Sequence, residues 1–173
     1  MLVAGGAGAV GHYAIQMAKL LGASRVIATV SSLEKAAHAR AAGADEVIDY
    51  CIENVVDVVR DLTAGRGVDR VVEVDLAANA ALLPQIVARD GFCACYGAGK
   101  AEMSLGFGPM ILSGAAIRFF IVYELSPSIR AEGLAQLKTW LNQGRLQHAV
   151  GRVLPLADIV AAHEAVEAGA VMG

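Results

Sequence analysis

Leu2-Val3-Ala4-Gly5-Gly6-Ala7-Gly8-Ala9-Val10-Gly11 passes from an apolar strand through Gly6, Gly8 and Gly11 at G-x-G-x-x-G spacing into a helical pattern. Each glycine has its own physical task. The first permits a tight turn, the second lets backbone N–H groups approach a pyrophosphate, and the third lets the following helix pack close to the strand. The helix then offers its positive end to negative charge. Gly6, Gly8, Ala9, Val10 and Gly11 are therefore the candidate contacts of a bound dinucleotide. The loop starts almost at residue 1, so no other domain is expected upstream of it.

The length of 173 residues predicts one domain, large enough to bury about 70% of its unfolded-chain surface. A hydrophobic fraction of 56% and a mean hydropathy of +0.53 suit a parallel sheet buried on both faces, whose strands read as continuous apolar runs. A membrane span is the competing reading. It fails because the longest uncharged stretch, Met1 to Ala18, carries four glycines and ends with His12 and Gln16, whereas a span needs about 20 mainly apolar residues. No basic segment precedes that stretch, so a cytoplasmic location is expected.

Cys51, Cys93 and Cys95 lack C-x-x-C spacing, which supports neither a disulfide framework nor a zinc site. Cys93 and Cys95 are expected to share one face of a strand in the core. A net charge of −3 provides no basic field for nucleic acid, and four phenylalanines, four tyrosines and one tryptophan form no stacking platform.

Outward from the loop, strand and helix alternate. Hydrophobic periodicity and punctuating glycines predict helices over 12–21, 34–42 and 52–63, with strands over 25–30, 46–49 and 68–74. A short helical piece containing Pro84 is expected over 78–88, a strand over 91–96, and an irregular glycine-rich stretch over 97–108. A helical turn at 109–113, a sixth strand at 118–123, a long helix at 128–142 capped by Ser126 or Ser128, an extended piece at 150–154 and a last helix at 158–168 complete the chain. Such alternation implies right-handed crossovers. The expected fold is α/β: a single-domain, Rossmann-type, doubly wound parallel sheet.

Cofactor choice is read at the end of the second strand, where a carboxylate about 20 residues past the glycines holds the ribose of NAD. Here that place is Thr29-Val30-Ser31-Ser32-Leu33-Glu34-Lys35, with no acid at the strand tip. Two hydroxyls and the Lys35 ammonium suit a 2′-phosphate instead, so NADPH is the expected cofactor. The plainer alternative is that Ser31 and Ser32 only cap the helix beginning near Glu34. The two roles are compatible.

Beyond the loop, Gln16-Met17-Ala18-Lys19, Gly43-Ala44-Asp45-Glu46-Val47-Ile48-Asp49-Tyr50, Gly67-Val68-Asp69 and Ala162-His163-Glu164 add further markers. With these the chain resembles the coenzyme-binding half of medium-chain dehydrogenase/reductases, close to the zinc-free quinone oxidoreductases related to zeta-crystallin. The resemblance implies a 2′-phosphate pocket at Ser31, Ser32, Lys35 and Tyr50. It also implies further cofactor contacts at Glu73 to Asn79, at Tyr96-Gly97-Ala98, and at Phe120 to Val122, whose backbone would hold the nicotinamide carboxamide. The implied activity is hydride transfer from NADPH to a quinone or enone.

In the resembled family an N-terminal GroES-like domain closes over the nicotinamide. This chain is expected to lack it, along with a final strand beyond Gly173, and so to have little activity alone. The resemblance also implies a homodimer through the strand near Arg118 to Tyr123. A non-catalytic NADPH-binding, sensing or structural module is the alternative.

Tyr96-Gly97-Ala98-Gly99-Lys100 is a literal Y-x-x-x-K, the catalytic pair of short-chain dehydrogenases, but its two glycines argue against the helix that pair needs. Asp49, Asp69, Glu73 and Asp75 are dispersed, with no spacing that predicts a paired-carboxylate site. His12, His38, His148 and His163 read as packing or surface residues rather than bases. No G-x-S-x-G elbow is present.

Overall fold

Leu2 and Val3 form β1 (Leu2–Val3), a strand of two residues at the centre of the sheet. The computed structural model describes residues 1–172. Around β1 stand β2 (Ile27–Val30), β3 (Glu46–Asp49), β4 (Val68–Glu73), β5 (Val87–Cys95) and β6 (Ala116–Phe119) in the order β3-β2-β1-β4-β5-β6. Every neighbouring pair is parallel. This is the expected doubly wound sheet.

Alternation along β1 divides the core between the two faces. Leu2 joins Ile27, Ile48, Val71 and Cys93 against α3 (Val55–Leu62), α4 (Leu76–Asn79) and α5 (Leu83–Ile86). Val3 joins Ala28 and Val30 against α1 (Ala9–Leu20) and α2 (Leu33–Ala41), through Ile15, Ala18, Ala36 and Ala39. The second layer is built largely of alanine, so both helices lie close to the strands. Because the crossovers leave β1 and β4 toward opposite faces, a crevice opens between their carboxyl ends, where ligands of such sheets bind.

The predicted elements recur with shifted ends. The helical piece around Pro84 is two short helices, and Pro84 sits in the first turn of the second, where its missing N–H costs nothing. β5 starts at Val87 rather than Gly91. Val87 pairs with Val68, the register then slips, and pairing resumes at Arg70 with Phe92. Asp90 takes a φ of 59° at the irregularity.

β6 covers Ala116–Phe119, not 118–123. Phe120 still donates its N–H to the Cys95 carbonyl, after which Val122–Glu124 turn as a 3₁₀ helix toward α7 (Pro127–Asn142). Ser126, not Ser128, caps α7. Residues 150–154 join no strand ladder. They lead through a second 3₁₀ turn to α8 (Ile159–Glu167), while α6 (Phe107–Ser113) fills the stretch before β6. The strand expected beyond Gly173 lies outside the described residues. Among these, no helix is long and apolar enough to cross a membrane.

Candidate functional site

The glycine loop leaves β1 with Gly5 in the left-handed region at φ 66°, so the turn-permitting residue is Gly5 rather than Gly6. The Gly5 N–H donates to the Thr29 hydroxyl at 3.3 Å, and the Gly6 N–H donates to the Thr29 carbonyl at 3.0 Å. Gly6 serves packing, since a Cβ there would stand 2.7 Å from the Ala28 methyl. Gly11 lets α1 press onto the loop, because its Cβ would fall 2.2 Å from the Gly5 oxygen.

Gly8 is different. A Cβ there would meet only the Gly5 oxygen, at 3.5 Å, so nothing in the protein demands glycine at this place. Gly8 is also the N-cap of α1, and no side chain caps that helix. The first-turn N–H groups of Ala9, Val10 and Gly11 are thus open to an anion, and Gly8 to Val10 are exposed. A phosphate fits this cradle.

At the end of β2 the three expected side chains converge. Ser32 is the N-cap of α2, its hydroxyl accepting from the Lys35 N–H at 3.2 Å. The Lys35 ammonium donates to the Ser31 hydroxyl at 3.0 Å. The capping role read as an alternative is real for Ser32 alone, while the Ser31 hydroxyl takes the ammonium. Glu34 is exposed. Tyr50 is held beside this corner by its N–H on the Val30 carbonyl at 3.0 Å, with its ring about half exposed. The end of α8 also reaches here, as a Cβ on Gly169 would stand 3.9 Å from the Lys35 ammonium.

Past the switch point, Glu73 is buried at the tip of β4 and accepts from the Asp75 N–H at 2.7 Å and the Asn79 amide at 3.1 Å. That bond fixes the half-buried Asn79 side chain at the strand end. Asp75 in turn accepts from the Gly99 N–H at 2.8 Å. Gly97 is required by space, since a Cβ would fall 2.4 Å from the Val74 carbonyl.

Gly5, Thr29, Tyr50, Glu73 and Asn79 share one crevice of about 520 Å³. Gly97 and Phe120 share a second of about 830 Å³, with Tyr96, Lys100 and Arg118 on its wall. Val122 lies outside both, half exposed.

Residues 96–100 are not helical, so Tyr96 and Lys100 are not presented as a helical pair. Burial, with Glu73 and Cys95 nearby, pushes the Tyr96 phenol up to about 12, the wrong direction for a proton donor at neutral pH. Cys93 and Cys95 are buried, as expected, and burial raises the Cys93 thiol to about 12. His12 is buried as well.

Gly5 and Thr29 escaped the sequence reading as site residues, and Glu73 and Asp75 entered it only within the segment Glu73 to Asn79 that the resemblance implied. The available signals were a doubled glycine, a hydroxyl inside an apolar strand, and acids at the end of another.

The zinc-binding dehydrogenase family matches residues 9–139. A 2-haloacrylate reductase from a Burkholderia species is 33% identical along 95% of this chain, which covers 50% of that protein. A quinone oxidoreductase from Pseudomonas aeruginosa is 55% identical over 60 residues, 35% of this chain and 18% of that one.

Among solved structures, an NAD-dependent alcohol dehydrogenase superposes with TM-score 0.87 at 34% identity, covering 99% of this chain and 48% of its own. The Escherichia coli quinone oxidoreductase complexed with NADPH gives 0.83 at 27% identity, with 99% and 54% covered. The chain spans about half the length of these relatives.

Zinc, which the family's name implies, finds no donors here. No group of three or more His, Cys, Asp or Glu among the described residues could hold a metal ion. Glycine cradle, strand order and sequence match agree: the chain belongs to the zinc-binding, medium-chain dehydrogenase/reductase family and forms its nicotinamide-dinucleotide-binding part.

Proposed function

We propose that this chain binds NADPH as part of an oxidoreductase that passes hydride to a quinone or another conjugated carbonyl. The observation that carries the cofactor choice is the Lys35–Ser31 contact beside the Ser32 cap, with no carboxylate at the tip of β2. A 2′-phosphate supplies the anion that this ammonium lacks, and a carboxylate there would repel it. Relatives crystallised with NADPH support the reading. A neighbour named for NAD is equally similar overall, so local chemistry at β2 must decide.

Gly6, Gly8, Ala9, Val10 and Gly11 then receive the pyrophosphate, with Tyr50 beside the adenosine end. Asn79 and Gly97 border the path across the sheet, and backbone groups of Phe120 and Val122 hold the carboxamide. When bound, the nicotinamide supplies the hydride. Acceptors named among the relatives are quinones and a haloacrylate, all with a double bond conjugated to a carbonyl or carboxyl group. The reading also includes a homodimer through the free edge of β6 and a cytoplasmic setting, where the exposed Cys51 thiol stays reduced.

Fluorescence titration with NADPH and NADH, followed by NADPH consumption with an orthoquinone, tests the reading. Both are run on this chain and on a longer polypeptide supplying the half its relatives possess. Tight NADPH binding with turnover in the longer protein is expected. Binding without turnover there leaves a non-catalytic module, and no binding by either refutes the cofactor reading as well.

A further inference from the structure

Three of the chain's four histidines meet where α1, α2 and residues 147–148 come together. His12 directly follows Gly11 of the phosphate loop, and His38 stands one turn beyond Lys35 on α2. Their ring centroids are 4.9 Å apart, tilted by 38°. His12 is only 5% exposed, and its Nε2 lies 2.9 Å from the Gln147 carbonyl oxygen.

A carbonyl only accepts, so Nε2 carries the proton and Nδ1 keeps a lone pair. That Nδ1 is buried without a partner, and so is Nε2 of His38. Two unpartnered nitrogens on adjacent rings, His12 buried and His38 half-buried, are costly unless they share something. A metal is a poor candidate, as no third donor accompanies them among the described residues. A proton suits them: with the rings 4.9 Å apart, a proton added to either one supplies an N–H that a small ring rotation would bring to the lone pair of the other.

We propose that His12 and His38 form a proton-binding pair linked to the dinucleotide site, taking up a proton when the cofactor's phosphates seat, so that cofactor affinity rises as the pH falls below neutrality. The inference rests on the cofactor reading above. The pair stands behind both phosphate anchors, Gly8–Gly11 on α1 and Ser31–Lys35 on α2.

Other titratable groups around it are few. Lys35 precedes His38 by one turn, and Glu34, four residues before it, is exposed and makes no ion pair with it. Tyr13 and His148 bond each other at 2.7 Å on the outer side, and the carbonyl of Gln147 is uncharged. Burial and the adjoining His12 hold His38 below the usual histidine range in the free protein. Bound phosphates oppose that effect, so the complex carries a proton that the free protein lacks between the two titration points, and binding tightens as the pH falls through that window.

Calorimetric titration with NADP⁺ in two buffers of different ionisation heat, at pH 6 and pH 8, reads the proton directly. Wild type is compared with His38→Gln and with His12→Gln, which keeps a donor for the Gln147 carbonyl. Greater proton uptake at pH 6 is expected in the wild type than in either variant, with an added gain in affinity from pH 8 to pH 6 of about two- to fourfold. Titration of the cofactor's own 2′-phosphate is common to all three and cancels.

Equal proton uptake and equal pH slopes overturn the inference. Should the variants unfold, the imidazole NMR signals of the wild type decide, an unchanged His38 midpoint with NADP⁺ also overturning it. No dinucleotide binding at either pH refutes the cofactor reading itself, whereas binding without proton uptake refutes only the linkage.

Discussion

Gly8 and Gly11 are glycine for opposite reasons, and substitution separates them. At Gly11 a Cβ would fall 2.2 Å from the Gly5 oxygen, so Gly11→Ala must displace backbone. It is expected to cost about 1–3 kcal/mol of stability and to abolish dinucleotide binding. At Gly8 the same methyl makes ordinary contact at 3.5 Å. Gly8→Ala is expected to melt within about 0.5 kcal/mol of wild type while binding NADPH far more weakly, because only the incoming phosphate meets the new atom. Thermal melts and fluorescence titrations on the two variants check the contrast; a Gly8→Ala protein that binds normally removes the phosphate from this cradle.

The corner at α2 separates in the same way. Lys35→Ala is expected to weaken NADPH by about 1–3 kcal/mol and leave NADH nearly untouched. Ser32→Ala, which removes the hydroxyl accepting from the Lys35 N–H, is expected to lower stability itself by about 1 kcal/mol. Both were legible as residue types at the right spacing. Glu73 came only with the segment the resemblance implied, and its bonds were not legible, because they depend on Asp75 and Asn79 folding back over the strand end, which no spacing along the strand announces.

At the scale of elements, helices and central strands follow from local pattern, and their ends follow from partners. Glu46–Asp49 is a strand by sequence and by structure alike. Val87 and Ala88 read as a helix end and Gly91 as a strand start, yet Val87 is already a strand residue because Val68 lies opposite it. β6 stops early because the chain must turn into α7, whose Pro127 stands in the first helical turn.

A tie between elements is equally invisible in sequence. Lys19, in the last turn of α1, donates to Asp45 ahead of β3 at 2.8 and 2.9 Å, and the Val26 N–H reaches the same carboxylate at 2.7 Å. These bonds, the one from Lys19 foremost, hold the Asp45 carboxyl below its usual range. A depressed carboxylate contributes stability above its unfolded value of 3.8 and loses it as the pH falls through the folded value. The pair is more than one-third exposed, so its share is less than about 1 kcal/mol. Asp45→Asn is expected to lose that share at pH 7 and to match wild type near pH 2 in urea unfolding. A constant difference across that range contradicts the assignment.

Burial is distributed unevenly over the whole molecule. Among the described residues after Cys95, only Trp140 and Leu146 are buried, and α6 and α8 contribute no buried residue at all. Among the described residues, β6 has β5 on one side and no strand on the other. Phe119, Ile121 and Tyr123 at and just beyond it are 58%, 61% and 83% exposed. A free strand edge followed by exposed apolar side chains invites pairing, and a second copy across a two-fold axis satisfies both edges with one contact. A homodimer in sedimentation at micromolar concentration is the expected state. Ile121→Lys places a charge in that contact and is expected to shift the protein toward monomer. Since the Lys35 corner lies on α2 at the opposite side of the sheet, NADPH affinity should change little. A wild-type monomer at tens of micromolar, or a variant that dimerises as before, moves the contact away from β6.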